Sequence, residues 1–212
     1  MADETRTIMT APAADPAPLG LAAFALTTFL LSAANANWMG SASGDAWLGY
    51  AFAYGGLGQL LAGMWEFRNR VTVWATAFSA YGVFWFALGA YFVLVTIGRV
   101  SGDAPSLGFL LLAFAIFNSY LLVWTTRVNI VVFGLFLALE LTEILLFLGL
   151  FSSSDALVRV GGWGSILTAL IAWYASAAGL LNTMGSRPML WTGTPIWTPE
   201  EPAEREHTRA RR

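Results

Sequence analysis

The chain has 212 residues, 57% of them apolar and 11% charged, with a mean hydropathy of +0.63. A soluble globular domain carries about 25% charged residues, so the composition excludes one and indicates an integral membrane protein. The net charge of −2 leaves no footprint for nucleic acid, the absence of cysteine removes disulfides and thiolate chemistry, and the lone histidine, His207, lies in a polar tail, so no metal or other cofactor is expected.

Residues 1–17 are mixed, acidic and rich in alanine and proline. They lack the cationic start and cleavage site of a signal peptide, so they read as an N-terminal tail and the first apolar run as a mature span. A bilayer core takes roughly 20 helical residues. Six runs qualify: Leu19–Asn37, Ala46–Trp65, Thr72–Ile97, Leu107–Trp124, Ile130–Phe151 and Gly161–Leu181. The separators MGSASGD, EFRNR, GRVSGDAPS, TTRVN and SSSDALVR are short and polar. Consecutive helices are therefore expected to be antiparallel neighbours in a six-helix bundle over residues 18–182. The segment Thr183–Arg212, with prolines and paired charges, reads as a solvated tail.

Orientation follows from arginine in the short loops. Arg68, Arg70 and Arg127 fall after the second and fourth spans, and Arg187 and four more arginines follow the sixth. The opposite side holds only Arg99 and Arg159. Both termini are expected in the cytoplasm of a multi-pass protein of the cell membrane. Trp38, Trp47, Trp65, Trp74, Trp124 and Trp163 flank span ends and fit an aromatic belt.

The first span opens on DPAPLGL. Proline in the first helical turn sacrifices no intrahelical bond, so Pro16 and Pro18 stiffen the approach, and Gly20 allows close backbone contact. The free first-turn N–H groups and the helix dipole form an anion site; a rigid helix start accounts equally for the prolines. Further along, Phe24, Thr27, Thr28, Leu31 and Asn35 share a helical face. In the second span Gly55, Gln59, Ala62, Gly63 and Glu66 do the same, and Gln59 requires a polar partner in hydrocarbon. Each face serves either helix packing or a polar path. Glu66 sits beside Arg68 and Arg70, where an interfacial ion pair is expected. The fifth span carries Glu140 and Glu143 well inside the apolar run. A charge there costs about 2.5–3.5 kcal/mol or more, and no nearby residue offers a cation. The two glutamates either couple protons or act as neutral hydrogen-bonding acids, and Glu143 lies one turn beyond Leu139.

DPAPLGLAAF, YGGLGQLLAGMWEF and TAFSAYGVFW together resemble three ordered motifs of the acetate uptake transporter family, the acetate/succinate permeases of bacteria and their yeast relatives. GGWGSILTALIAWYASAAGLLN resembles the sixth span more loosely, and the resemblance covers about residues 15–190. It implies a protomer of six transmembrane helices with its own pore, assembled as a homohexamer among membrane lipids. It places the substrate motif on Pro16, Ala17, Pro18, Leu19, Gly20 and Leu21. It also implies an apolar and aromatic constriction at Phe24, Tyr81 and, counting back from Gly149, Leu139. Thr27, Thr28, Asn35 and Gln59 are candidate polar pore-lining residues, and Glu140 and Glu143 candidates for proton coupling. Asp15 departs from the asparagine of the family signature, either to cap the helix or to alter pH dependence. The expected function is uptake of acetate, and of short acids such as succinate, with protons; a passive monocarboxylate channel is the alternative. The membrane region has no His, Cys or Lys, so an enzyme is not expected.

Overall fold

The computed structural model of the chain describes residues 14–38 and 46–198. The MGSASGD segment and both chain ends lie outside the described residues. Among the described residues every regular element is helical: α1 (Ala17–Asn35), α2 (Ala46–Tyr50), a π-helical stretch (Ala51–Gly58), α3 (Gln59–Asn69), α4 (Thr72–Thr96), α5 (Ala104–Thr125), α6 (Ile130–Phe151) and α7 (Asp155–Leu181). By length and composition, α1, α4, α5, α6 and α7 can each cross a membrane. The second expected span is a composite of α2, the π-helical stretch and α3, which follow one another without a break.

Local chemistry sets several helix starts. The Asp103 carboxylate accepts hydrogen bonds from the Ser106 N–H (2.7 Å) and hydroxyl (2.8 Å), which hold its pKa below the usual carboxylate range. The Asn129 side chain accepts from the Val132 N–H at 2.9 Å and Ser154 from that of Leu157 at 3.4 Å. Because Ser154 caps it, α7 begins well before the expected Gly161 and carries exposed Arg159 on its first turns rather than in a loop. EFRNR is likewise mostly helical, since α3 runs on to Asn69 before Arg70 turns the chain at φ 62°.

The π-helical stretch coincides with glycines. A Cβ at Gly55 would lie 2.7 Å from the Thr27 hydroxyl oxygen, so glycine there lets α1 approach. That hydroxyl donates to the Tyr50 carbonyl at 3.4 Å, at the entry to the stretch. Thr27 thus serves the contact between α1 and the second span. At Gly20, a Cβ would meet the Phe78 ring at 2.7 Å; the close approach is to an aromatic side chain, not to backbone.

The helices close into a ring. The second span packs on α1, α1 on α7, α7 on α6 and α6 on α5, while α4 packs on the second span. Consecutive α4 and α5 depart from the expected close pairing of neighbours. Aromatic rings hold their backbones apart, with Phe84 and Phe114 at 4.6 Å between centroids and Tyr81 and Phe117 at 5.8 Å. Trp38, Trp65 and Trp163 are exposed, as anchors would be. Trp47 is instead buried among Ala51, Trp85 and Leu88, and Trp74 stacks on Phe78 at 5.1 Å. Both belong to the interior.

Residues 183–198 are not a free tail. Asn182 accepts from the N–H groups of Met189 and Leu190 and donates to the Leu190 carbonyl. The Val131 N–H donates to the Thr192 carbonyl, and the Ile196 and Trp197 N–H groups both donate to that of Thr126. Arg127 lies 3.9 Å above the Trp197 ring, a cation–π contact. The segment is a strap from the end of α7 to the start of α6.

Gly55→Ala should lower the midpoint of thermal unfolding in detergent, by a destabilisation of about 1–3 kcal/mol as in other overpacked sites. Adding Thr27→Ala should restore much of the loss, measured as a double-mutant cycle.

Candidate functional site

Helical periodicity on α1, α4 and α6 brings one residue from each to a common point every turn or so. The result is a file of four cavities. The first, about 200 Å³, lies at the end of the bundle where α1 starts and α7 ends, and is lined by Asp15, Pro18, Asn129, Asn182 and Thr192 among others. Leu21 and Trp74 form walls common to it and a second cavity, which also touches Gln59 and Phe78. The second is only about 20 Å³, little more than the roughly 10–15 Å³ that one water requires. Phe24, Tyr81 and Leu139 line both this cavity and a third of about 60 Å³. Leu31, Asn35, Phe84, Leu111 and Leu146 are shared by the third and a fourth of about 100 Å³ at the far end. Phe24, Tyr81 and Leu139, the walls common to the second and third cavities, stand where the family resemblance implies a constriction. All three are buried, and the rings of Phe24 and Tyr81 meet edge-on at 5.8 Å.

A polar cluster stands beside this constriction. The Tyr81 hydroxyl lies 3.3 Å from both Asn118 Oδ1 and Glu143 Oε1, donating to either. Asn118, fully buried, donates through Nδ2 to the Phe136 carbonyl at 3.1 Å and to Glu140 Oε2 at 2.7 Å. Glu143 is 5% exposed, lines the third cavity with Leu139, and its Oε2 has no partner. Glu140 is half-buried and outside the cavity walls. The two glutamates are thus met by hydrogen bonds from α4 and α5, and no basic side chain lines any of the four cavities.

Other expected site residues separate. Thr28 and Asn35 line the third cavity; Thr27 faces the second span instead. Gln59 lines the second cavity with its Oε1 unpartnered, so the expected interhelical partner is missing and the group points to the path. At the start of α1, the Ala17 N–H donates to Asp15 Oδ1 at 2.9 Å, Pro18 has no N–H, and that of Gly20 bonds the Pro16 carbonyl. Only the Leu19 amide stands outside these bonds, and Leu19 is exposed. Asp15 thus takes the Ala17 amide, and the expected cluster of free amides is reduced to that of Leu19. Pro16 is buried, Ala17, Pro18 and Leu21 line the first cavity, and the Pro18 carbonyl accepts from the Ser176 hydroxyl at 2.6 Å. The motif shapes the entrance and locks α1 to α7.

The sequence profile of the GPR1/FUN34/yaaH family matches residues 2–190. The chain belongs to this family. Acetate permease A of Emericella nidulans is 37% identical over 92% of the chain and 71% of its own length. The succinate-acetate/proton symporter SatP of Escherichia coli is 31% identical over 85% of the chain and 95% of its own. The solved structure of the bacterial acetate channel SatP superposes with a TM-score of 0.82 at 30% identity, covering 85% of the chain and 99% of SatP. Other fungal relatives, 35–41% identical, are longer, and the chain spans 60–65% of them. Acetate permease A and SatP are transport proteins, and the chain is not an enzyme.

Asn118, Thr142 and Thr192 bond the polar cluster or line the cavities and lie outside the family motifs. A lone asparagine within LLLAFAIFNSYLLVW was a usable signal, because a polar residue in a span needs a partner. Thr192 had none, since its place depends on the strap.

Glu66, in the polar segment just past the apolar run, is buried. Burial first, and then the charge of Asp15, raise its pKa to about 7, where an ion pair with arginine would lower it. A raised carboxyl pKa means that the folded state holds its proton longer than the unfolded one, so stability falls between about pH 4.5 and 7. Glu66→Gln should remove that part of the decline, so that the variant's melting advantage over wild type grows across this range and then levels off.

Proposed function

We propose that the protein takes up acetate and related short carboxylates, succinate among them, together with protons, through a pore within each protomer. The observation that carries this reading is the file of cavities that narrows between Phe24, Tyr81 and Leu139. An apolar ring favours a small, partly desolvated ion or its neutral acid over bulky or multiply charged ones by dewetting, so succinate passes in a protonated form. The names and the structure of the relatives support the substrate class.

In this reading the chain crosses a cell membrane six times, the composite second span completing the count, with both termini in the cytoplasm and protomers assembled as a homohexamer. The arginine distribution supports that orientation. Substrate enters or leaves the cytoplasmic end past Pro16–Leu21 and Thr192. Glu140 and Glu143 supply the proton coupling, because the path has no fixed cation to offset a carboxylate's charge. A passive channel is the second reading. It is favoured by the description of bacterial SatP as an acetate channel, as coupling is by the name proton symporter.

Truncating the ring tests the path. Leu139→Ala should raise the flux of a bulkier monocarboxylate relative to acetate several-fold in reconstituted liposomes. Unchanged selectivity in Leu139→Ala, Phe24→Ala and Tyr81→Ala alike would place the path elsewhere.

A further inference from the structure

Four residues that line the third cavity each carry a buried polar atom without a protein partner: Thr28 Oγ1, Trp85 Nε1, Thr142 Oγ1 and Glu143 Oε2. Helical threonines ordinarily return their hydroxyl to the preceding turn, as Thr76 and Thr96 do here. Leaving such a group unpaired costs about 1–3 kcal/mol each. Three of the four are donors, since Trp can only donate and a threonine hydroxyl carries a proton. The residues that line the chamber thus carry hydrogen-bond donors with no fixed cation, on the side of the constriction away from the start of α1.

The proton count at the cluster fixes the role of the fourth. Asn118 is oriented by its two donations, to the Phe136 carbonyl and Glu140, so Oδ1 faces Tyr81 and can only accept. Tyr81 has a single proton. It goes to Asn118 or to Glu143 Oε1, each 3.3 Å away, and Glu143 Oε2 is the carboxyl oxygen left without a partner, so a proton carried by Glu143 is available to the chamber on Oε2. Tyr81 and Glu140 are the titratable groups around Glu143, with Tyr120 beyond Tyr81. No charged side chain of α1 or α7 lines the chamber.

We propose that this chamber is a carboxylate-binding site in which Thr28, Thr142, Trp85 and the protonated Glu143 donate to the substrate, so that substrate and proton are bound as one unit. The inference rests on the transport reading above and adds the site at which the two cargoes meet. Glu143 gives its proton to the bound carboxylate, forming one O–H bond as its own breaks. The neutral acid passes the apolar ring, and the Glu143 carboxylate accepts from Tyr81 until water on the chamber side restores its proton. One proton moves with each carboxylate.

Difference infrared spectroscopy on the full chain in liposomes at neutral pH, with carbon-13 acetate, reads this directly. A protonated-carboxyl band should shift or vanish when acetate is added, and should be missing in Glu143→Gln. Thr142→Val should raise the half-saturation for acetate about fivefold, the size of one neutral hydrogen bond, with driven accumulation retained at saturation. If wild type carries acetate while no carboxyl band responds, or the band survives Glu143→Gln, or Thr142→Val binds as wild type does, the chamber assignment is overturned and the transport reading stands. If wild type carries no acetate, both fall.

Discussion

A carboxyl group in the hydrocarbon core must be met by hydrogen bonds or given up to water, because an unpaired charge there costs several kcal/mol. In this protein Glu143 and Glu140 meet that requirement through Tyr81 and Asn118, which bind α4, α5 and α6 into one cluster. The rest of the interior is arranged around it. Phe114 and Phe117 wedge α5 away from α4, and Phe24 closes edge-on against Tyr81. The cluster thereby holds one wall of the constriction at a fixed place in the bundle.

From that fixed point, helix geometry lays out the path. On α1, residues 18, 21, 24, 28, 31 and 35 advance along a single face, at about 1.5 Å per residue, and each lines one or two of the four cavities. Small residues elsewhere let the outer helices close around this file, as Gly55 does against Thr27. Polarity is concentrated at the entrance and in the third cavity, while the constriction between them is apolar. In the proposed mechanism such an order separates recognition of a carboxylate from its passage.

Much of this was legible in the sequence because it depends on periodicity. The six apolar runs, the shared face of Phe24, Thr28 and Asn35, and the alignment of Leu139 with Glu143 all follow from 3.6 residues per turn. What escaped depends on long-range partners. Thr27 and Thr28 look alike in the sequence, yet one faces Gly55 and Tyr50 and the other the chamber. At DPAPLGL, Asp15 takes the Ala17 amide that the expected anion site would use, a local outcome that the sequence left open. The strap of residues 183–198 escaped because its hydrogen bonds go to Thr126, Val131 and Asn182 rather than to a helix of its own.

Labelled acetate uptake by the purified protein in liposomes, with an inward proton gradient and the voltage clamped at zero, bears most directly on the central claim. Proton-coupled transport past the constriction requires acetate to accumulate above its equilibrium distribution. Flux that only equilibrates would contradict the coupling and leave a passive channel, and no flux through correctly inserted protein would contradict the carboxylate path itself.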